Sequence, residues 1–353
     1  MSARDEAQRR GARDLHGQLM DKGRIPLLSW HHLEELLGGR DEGCARTRVT
    51  SLQNLPMLAY LRLPRDELGL GSIVEVLAAE AIAVTEGYSD LISIRDRARE
   101  LLLKVGPGTQ AVGEEDWVWD EIRPMLRSRQ DKNDMSAALG PLRTFDDNRT
   151  IGELAKSAVN SPDQMRAQLG QIHAKAFQEA TQSTGGDVAR ARVMADDFVA
   201  RVVAMMPPAG TTVRDLLVAI LVEQGVDEEE IRDECVLADL IRLAVFRSQL
   251  RVVASQTGLS FATLKKVPMD ILPSRIIGDA LRAHGQPRPL RPGSDLNDRH
   301  LGVLAAYCAV LYVDKRTAED FTRAQRKESR LKGLIGEVAK AADFEALLGP
   351  TPG

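Results

Sequence analysis

The chain has 353 residues, 43% of them hydrophobic and 28% charged, with a formal net charge of -4. At roughly 100–200 residues per domain, this length predicts two domains or one domain carrying a large insertion. Aromatics make up only 4%, so the core must be built from Leu, Val, Ile and Ala, a balance that favours helix.

The first elements read as helix, strand, helix. Ala7, Ala12, Leu15, Leu19 and Met20 recur at helical spacing until Gly23. This polar start has no apolar core of the kind a secretion signal carries. The apolar run Ile25 to Ser29 is too short for a helix and predicts a buried parallel strand. Ser29 is placed to cap the following helix WHHLEELL, which Gly38 and Gly39 end. A short helix carrying Val49, Leu52 and Leu55 comes next, and Met57 to Leu63 alternates as a second strand would.

From about Leu68 to about Gly285 nearly every segment shows apolar residues at i, i+3, i+4 and i+7. Breaks such as GPGTQAVGEED, PPAGTT and GQPRPLRPGSD separate these helices. After Gly293 the alternation returns: a helix in NDRHLGVLAAYC, a buried strand at Ala309 to Asp314, and a polar helix from Lys315. A last strand follows at Gly333 to Lys340, then a closing turn in DFEALL. The expected architecture is therefore a helix-rich α/β fold, with one small parallel sheet built by the two chain ends. The expected division is 1–65, a helical insertion at 66–287, and 288–353.

No run approaches the ~18 consecutive apolar residues that a membrane span needs, so no membrane association is expected. Cys44, Cys235 and Cys308 are scattered and form no CxxC pair. This argues against a zinc cluster or disulfide framework and predicts a reducing, cytoplasmic setting. The chain contains no GxxxxGK[ST], GxGxxG or GxSxG motif, so ATPase, dehydrogenase and serine-hydrolase chemistry has no support.

Three acids stand out by context. Glu35 lies on the helix after the first strand, Asp298 on the helix before AVLYV, and Asp314 at the C-terminal end of that strand. Ligands of open parallel sheets gather at such strand ends. Converging carboxylates repel unless a divalent cation neutralises them, and hard oxygen donors suit Mg²⁺ or Mn²⁺.

The stretches IPLLSWHHLEEL and SDLNDRHLGVLAAYCAVLYVDKRT resemble the front and back of a PIN-like nuclease domain. That resemblance implies a parallel sheet presenting acids to one or two Mg²⁺ or Mn²⁺ ions, and hydrolysis of RNA, single-stranded RNA being the expected substrate. By position it implies Glu35, Asp298 and Asp314 as catalytic acids, with Asp295 as a further metal-facing carboxylate. Ser29, His32, His300, Lys315 and Arg316 stand around this set, as groups to orient it or bind substrate. PIN-like domains open with a strand bearing the first metal-binding Asp, and here nothing before Arg24 reads as a strand; Asp5 and Asp14 fall in the helical pattern. Either such a strand lies upstream of Met1, or this version lacks that acid and the central strand.

Plainer readings exist for each residue. Asp314 fits an N-cap, with Thr317 beside it, and Glu35 and Asp298 fit solvated helix faces. On this view the chain is an interaction protein, its helical block binding a protein partner. His31 and Glu35 are four apart on one helix, but neither HExxH nor a second ExxH accompanies them. Arg10 and His16 resemble the Arg and His pair of HEPN ribonucleases, with Gly11 where that motif has a polar residue. Basic residues outnumber acids nine to four between Asp239 and Asp295, and seven to three between Lys315 and Lys332. A basic rim beside an acidic centre suits a phosphate backbone; a solvated helix face is the alternative.

Overall fold

The computed structural model describes residues 15–38, 42–63, 69–115, 117–126, 146–155, 162–204, 212–286, 294–341 and 345–349. The chain forms two units, the first made of 1–126, 252–289 and 294–353, the second of 127–251 and 290–293. Unit one therefore includes the stretches 66–126 and 252–287, which the sequence pattern groups with the helical block. In chain order its elements begin with α1 (Leu15–Asp21), β1 (Leu27–Leu28), α2 (Trp30–Gly38), α3 (Glu42–Gln53), β2 (Leu58–Leu61) and α4 (Ile73–Thr85). α5 (Leu91–Leu102), β3 (Leu103–Gly106), α6 (Gly108–Val112) and α7 (117–126) complete its first part. Unit two holds α8 (Ile151–Ala155), α9 (Pro162–Ser183), α10 (Val188–Ala204), α11 (Val213–Glu223) and most of α12 (Leu237–Thr257). The chain returns to unit one with α13 (Phe261–Leu264), α14 (Pro273–His284), α15 (Ser294–Val303), β4 (Val310–Val313), α16 (Lys315–Lys327) and β5 (Glu337–Lys340).

The fold is helix-rich α/β, but the strands do not join as expected. β1 pairs in parallel with β2, Leu27 opposite Ala59, and β2 pairs antiparallel with β3, Ala59 opposite Val105. β4 pairs in parallel with β5, Val310 opposite Glu337 and Val313 opposite Lys340. Among the described residues β1 is bonded only by β2 and β4 only by β5, so the single parallel sheet is replaced by two small ones. β3 also corrects the reading of the middle as almost wholly helical. Its Leu103 continues the apolar period of α5, and the change of conformation is marked only afterwards, by Val105 and Gly106-Pro107. The expected strand from Gly333 starts late: Gly333 adopts a positive φ of 76° in a turn, and pairing begins at Glu337.

One core cluster of unit one joins Leu28, Leu33, Leu37, Ala45, Val49, Leu58, Tyr60, Ala111, Val112 and Leu126. It fixes α2 against the first sheet. α4 is apolar on every side and buried along Glu75 to Ala83, as an all-round apolar helix must be. Its start is held by a capping box, in which Ser72 Oγ accepts from Val74 N–H and Glu75 accepts from Ser72 N–H. From α5, Arg95 donates to the Gly333 and Leu334 carbonyls at 2.6 and 3.1 Å, anchoring the turn before β5. In unit two, α8, α11 and α12 share a core of Ile151, Leu154, Val213, Leu217, Leu221 and Leu240. α9 and α10 close on each other through Ala176 and Ala195, flanked by Phe177 and Phe198. No helix among the described residues is long and apolar enough to cross a membrane.

Candidate functional site

The site begins where β1 turns into α2. Ser29 caps the helix with its carbonyl, taking His32 N–H at 3.1 Å. In return His32 Nδ1 accepts from Ser29 N–H at 3.1 Å and lies 2.9 Å from Ser29 Oγ. This is the returning arm of a capping box, with histidine where Glu or Gln usually stands. Burial, and then the neighbouring His31, push the His32 pKa down to about 4, so the ring is neutral and serves as an acceptor. Both residues therefore build the helix start, and His32 does not reach toward Glu35. The adjoining Trp30 N–H donates to the Gly71 carbonyl at 2.9 Å, tying α2 to the approach to α4.

His31 is buried and held from two sides. Ile73 N–H donates to its Nε2 at 3.3 Å, which leaves the ring proton on Nδ1, donating to Glu34 Oε2 at 2.9 Å. Its partner is thus Glu34, three residues on, and not Glu35. The His31 ring packs on that of His300 from α15, centroids 4.6 Å apart and planes tilted by 38°. This contact joins opposite ends of the sequence.

Beside it, Glu35 and Asp298 face one another electrostatically. The Glu35 pKa is raised, first by burial of its carboxyl and then by the Asp298 carboxylate, with Glu34 adding to the rise and His31 opposing it. Glu35 is an exposed residue by area, so the crowding acts on a carboxyl that solvent can still reach. The two sequence-derived acids thus act on one another as like charges. Such a pair suits Mg²⁺ or Mn²⁺, since Mg²⁺ is often held by one or two carboxylates while waters and substrate phosphates fill its shell. Among the described residues no group of three His, Cys, Asp or Glu side chains is arranged to hold a metal ion.

The other sequence candidates have different places. Asp314 is exposed and caps α16, its Oδ1 accepting from Thr317 N–H at 2.7 Å. The groups that shift Glu35 electrostatically are Asp298, His31 and Glu34, not Asp314. Lys315 and Arg316 form the first turn of α16, Lys315 exposed and Arg316 half-buried. The Asp295 side chain lies outside the described residues, as do Asp5, Arg10, Gly11 and Asp14. His16 is described, with Nε2 lying 2.6 Å from the Met57 carbonyl oxygen.

One group escaped the sequence reading. Glu80, in the apolar run AAEAIAV of α4, is fully buried. Its Oε1 accepts from Ser274 N–H at 2.8 Å and from the Tyr307 hydroxyl at 2.6 Å, and its Oε2 accepts from Ser274 Oγ at 2.6 Å. Burial raises its pKa to about 7 against the opposing pull of these donors and of Arg275. The available signal was an acid with alanine on both sides inside a run otherwise free of charge. Glu80 binds α4 to the start of α14 and to the turn before β4, and so fixes the frame that carries α15 and α16.

The chain matches no family model, no curated protein and no solved structure.

Proposed function

We propose that this chain is a divalent-metal-dependent nuclease acting on RNA, on a PIN-like scaffold. Glu35 and Asp298 are its metal-facing carboxylates. The observation that carries the reading is the raised pKa of Glu35, pushed up first by burial and then by the like charge of Asp298 from the opposite end of the chain, on a helix that packs against α2 through the His31–His300 contact. Folding brings such a pair together at a cost in stability, and a bound cation offsets that cost. Mg²⁺ or Mn²⁺ held there would supply Lewis-acid stabilisation of charge developing on a phosphodiester. The protein's own part is to hold α2 on α15, the helices that carry the two carboxylates, through the His31–His300 contact, with Glu34 and Ile73 N–H holding the His31 ring. Lys315, at the start of α16, is a cation available to substrate phosphate.

The test is Mn²⁺-dependent cleavage of end-labelled single-stranded RNA by the wild type, Glu35→Gln and Asp298→Asn. Losing one group that stabilises transition-state charge typically costs about 10²–10³ in rate, and losses of that order are expected in both variants. Cleavage at wild-type rate in either removes that residue from the mechanism, and no cleavage by the wild type ends the proposal.

A second reading, a protein-binding role for unit two, has one observation in its favour. α10 exposes Val188, Val193 and Val203 to solvent, apolar area that a partner would cover. Its test is whether Val193→Lys abolishes a complex of the full chain seen by size-exclusion chromatography with light scattering.

A further inference from the structure

α9 and α10 form a hairpin, turned at Gly185 and Gly186, whose φ angles are 66° and 94°. Ala176 and Ala195 lie at its core, with Ala180 and Ala191 buried alongside. Among the described residues neither helix packs to that extent on a third element. Such a hairpin buries one stripe of each helix, and bundles complete their core with a further layer of helix. The side of α10 away from α9 is apolar and uncovered. At about 100° per residue, Ala189, Val193, Ala200 and Ala204 fall within an arc of roughly 60°, opposite the buried Ala191 and Ala195. All four are exposed, Val193 by 69%.

The charges beside this arc fit themselves in reverse. From Asp187 to Arg201 the charged residues are Asp187, Arg190, Arg192, Asp196, Asp197 and Arg201, all exposed. Read backwards, every sign is inverted about a centre near Met194. Two copies of α10 laid antiparallel about that centre set Arg192 against Asp196, Arg190 against Asp197 and Asp187 against Arg201. Arg192 and Asp196 lie on one flank of the apolar arc, Arg190, Asp197 and Arg201 on the other. In an antiparallel pair each flank meets its own counterpart, so the flanks agree with the pairing. The same register brings Val193 of both copies to the centre. Val193 and Ala189 of the second copy then fill the space between Val193 and Ala200 of the first.

Helix stability does not account for this pattern. Arg190 stands in the first turn of α10, which holds no acid, and a cation there opposes the helix dipole. Neither Arg190 nor Arg192 is ion-paired among the described residues. Asp196 meets His173 of α9 at 2.7 Å and Asp197 pairs with Arg201, yet these two acids keep 59% and 56% of their side-chain surface exposed. Both remain open to a further cation. We propose that α10 is the contact of a two-fold symmetric homodimer, two copies of the chain lying antiparallel along the Val193 face. Such a contact is isologous, each residue meeting its reciprocal in the second copy. The proposal rests on the protein-binding reading of unit two, names the partner as a second copy, and is independent of the nuclease reading.

The experiment is sedimentation equilibrium of the full chain from about 1 to about 100 µM, the range suited to a contact smaller than a standard interface. Wild type should pass from monomer toward twice that mass as concentration rises. Val193→Lys and Arg190→Glu/Arg192→Glu should each stay monomeric. The second variant puts acids at a helix start, where they favour the helix, so it should keep wild-type helicity by circular dichroism while losing the dimer. Asp196→Lys/Asp197→Lys should also be monomeric alone. Mixed in equal amounts with Arg190→Glu/Arg192→Glu, it restores every Arg and Asp contact with opposite signs, and the mixture should recover the dimer mass. A mixture that stays monomeric overturns the proposal, as does a dimer that persists in Arg190→Glu/Arg192→Glu. A wild type monomeric at every concentration overturns it too, while a complex with a different protein, lost in Val193→Lys, would then uphold the protein-binding reading alone.

Discussion

His31 and His300 pack ring against ring, 4.6 Å between centroids, and through them α2 meets α15. Each side of the His31 ring edge is used: Nδ1–H bonds Glu34 and Nε2 receives Ile73 N–H. His31→Phe keeps a ring against His300 but leaves the Ile73 N–H without its acceptor. Leaving a buried donor unsatisfied costs about 1–3 kcal/mol, and that loss is expected in urea unfolding. A midpoint equal to wild type would mean that ring packing alone holds α2 on α15.

Two buried groups set opposed pH dependences. Glu80 has its pKa raised from an ordinary 4.5 to about 7, so the fold favours its neutral form. The stability this gives is complete below pH 4.5 and is lost as pH rises through 7, about 3 kcal/mol in all at about 1.4 kcal/mol per pH unit. His32 has its pKa lowered from 6.5 to about 4, and its contribution is present above pH 6.5 and lost as pH falls toward 4. Between pH 4.5 and 6.5 the two slopes oppose each other, and wild-type stability should vary little there. Glu80→Gln should expose a profile that rises with pH. His32→Gln, which retains an acceptor for the Ser29 box, should expose one that falls. Urea midpoints from pH 4.5 to 7.5 check this, and parallel profiles in all three proteins would refute it.

The sequence makes some of this legible and hides the rest for identifiable reasons. IPLLS, MLAYLRL and AVLYVD hold β1, β2 and β4 because short apolar runs between polar residues bury only as strands. β3 is hidden because Leu101, Leu102 and Leu103 continue the apolar period of α5 across the helix end. The division into two sheets is not written in any local pattern, since strand partners are chosen in three dimensions. No spacing in the sequence links Glu35 to Asp298; the influence of Asp298 on Glu35 follows from the packing of α2 on α15. The tie at Glu80 needed Ser274 and Tyr307, and nothing local connects residues so far apart in the chain.

Asp314 shows how a cap and a ligand can be told apart. Its Oδ1 holds Thr317 N–H at the start of α16, a bond a serine hydroxyl can replace. Asp314→Ala should lose about 1 kcal/mol in stability, and Asp314→Ser only a few tenths. If the carboxylate also acts in cleavage, both variants should lose RNA cleavage alike despite their unequal stability. Activity that tracks stability instead would leave Asp314 as a cap only.

Gly336 tests the second sheet directly. It lies just before β5, its N–H bonded to the Ala305 carbonyl at 2.7 Å, and a Cβ there would overlap the carbonyl oxygens of Cys308 and Ala309. Backbone is rigid compared with a side-chain end, so the added methyl must push β5 away from β4, and overpacking of this kind costs about 1–3 kcal/mol. Gly336→Ala should therefore unfold at lower urea, with faster hydrogen exchange at the β4 and β5 amides. Gly278, inside α14, meets nothing within 4 Å of an added Cβ, and Gly278→Ala should stabilise by about 0.5–1 kcal/mol through helix propensity alone. If both substitutions moved stability in the same direction, the close approach at Gly336 would not be what joins β5 to β4.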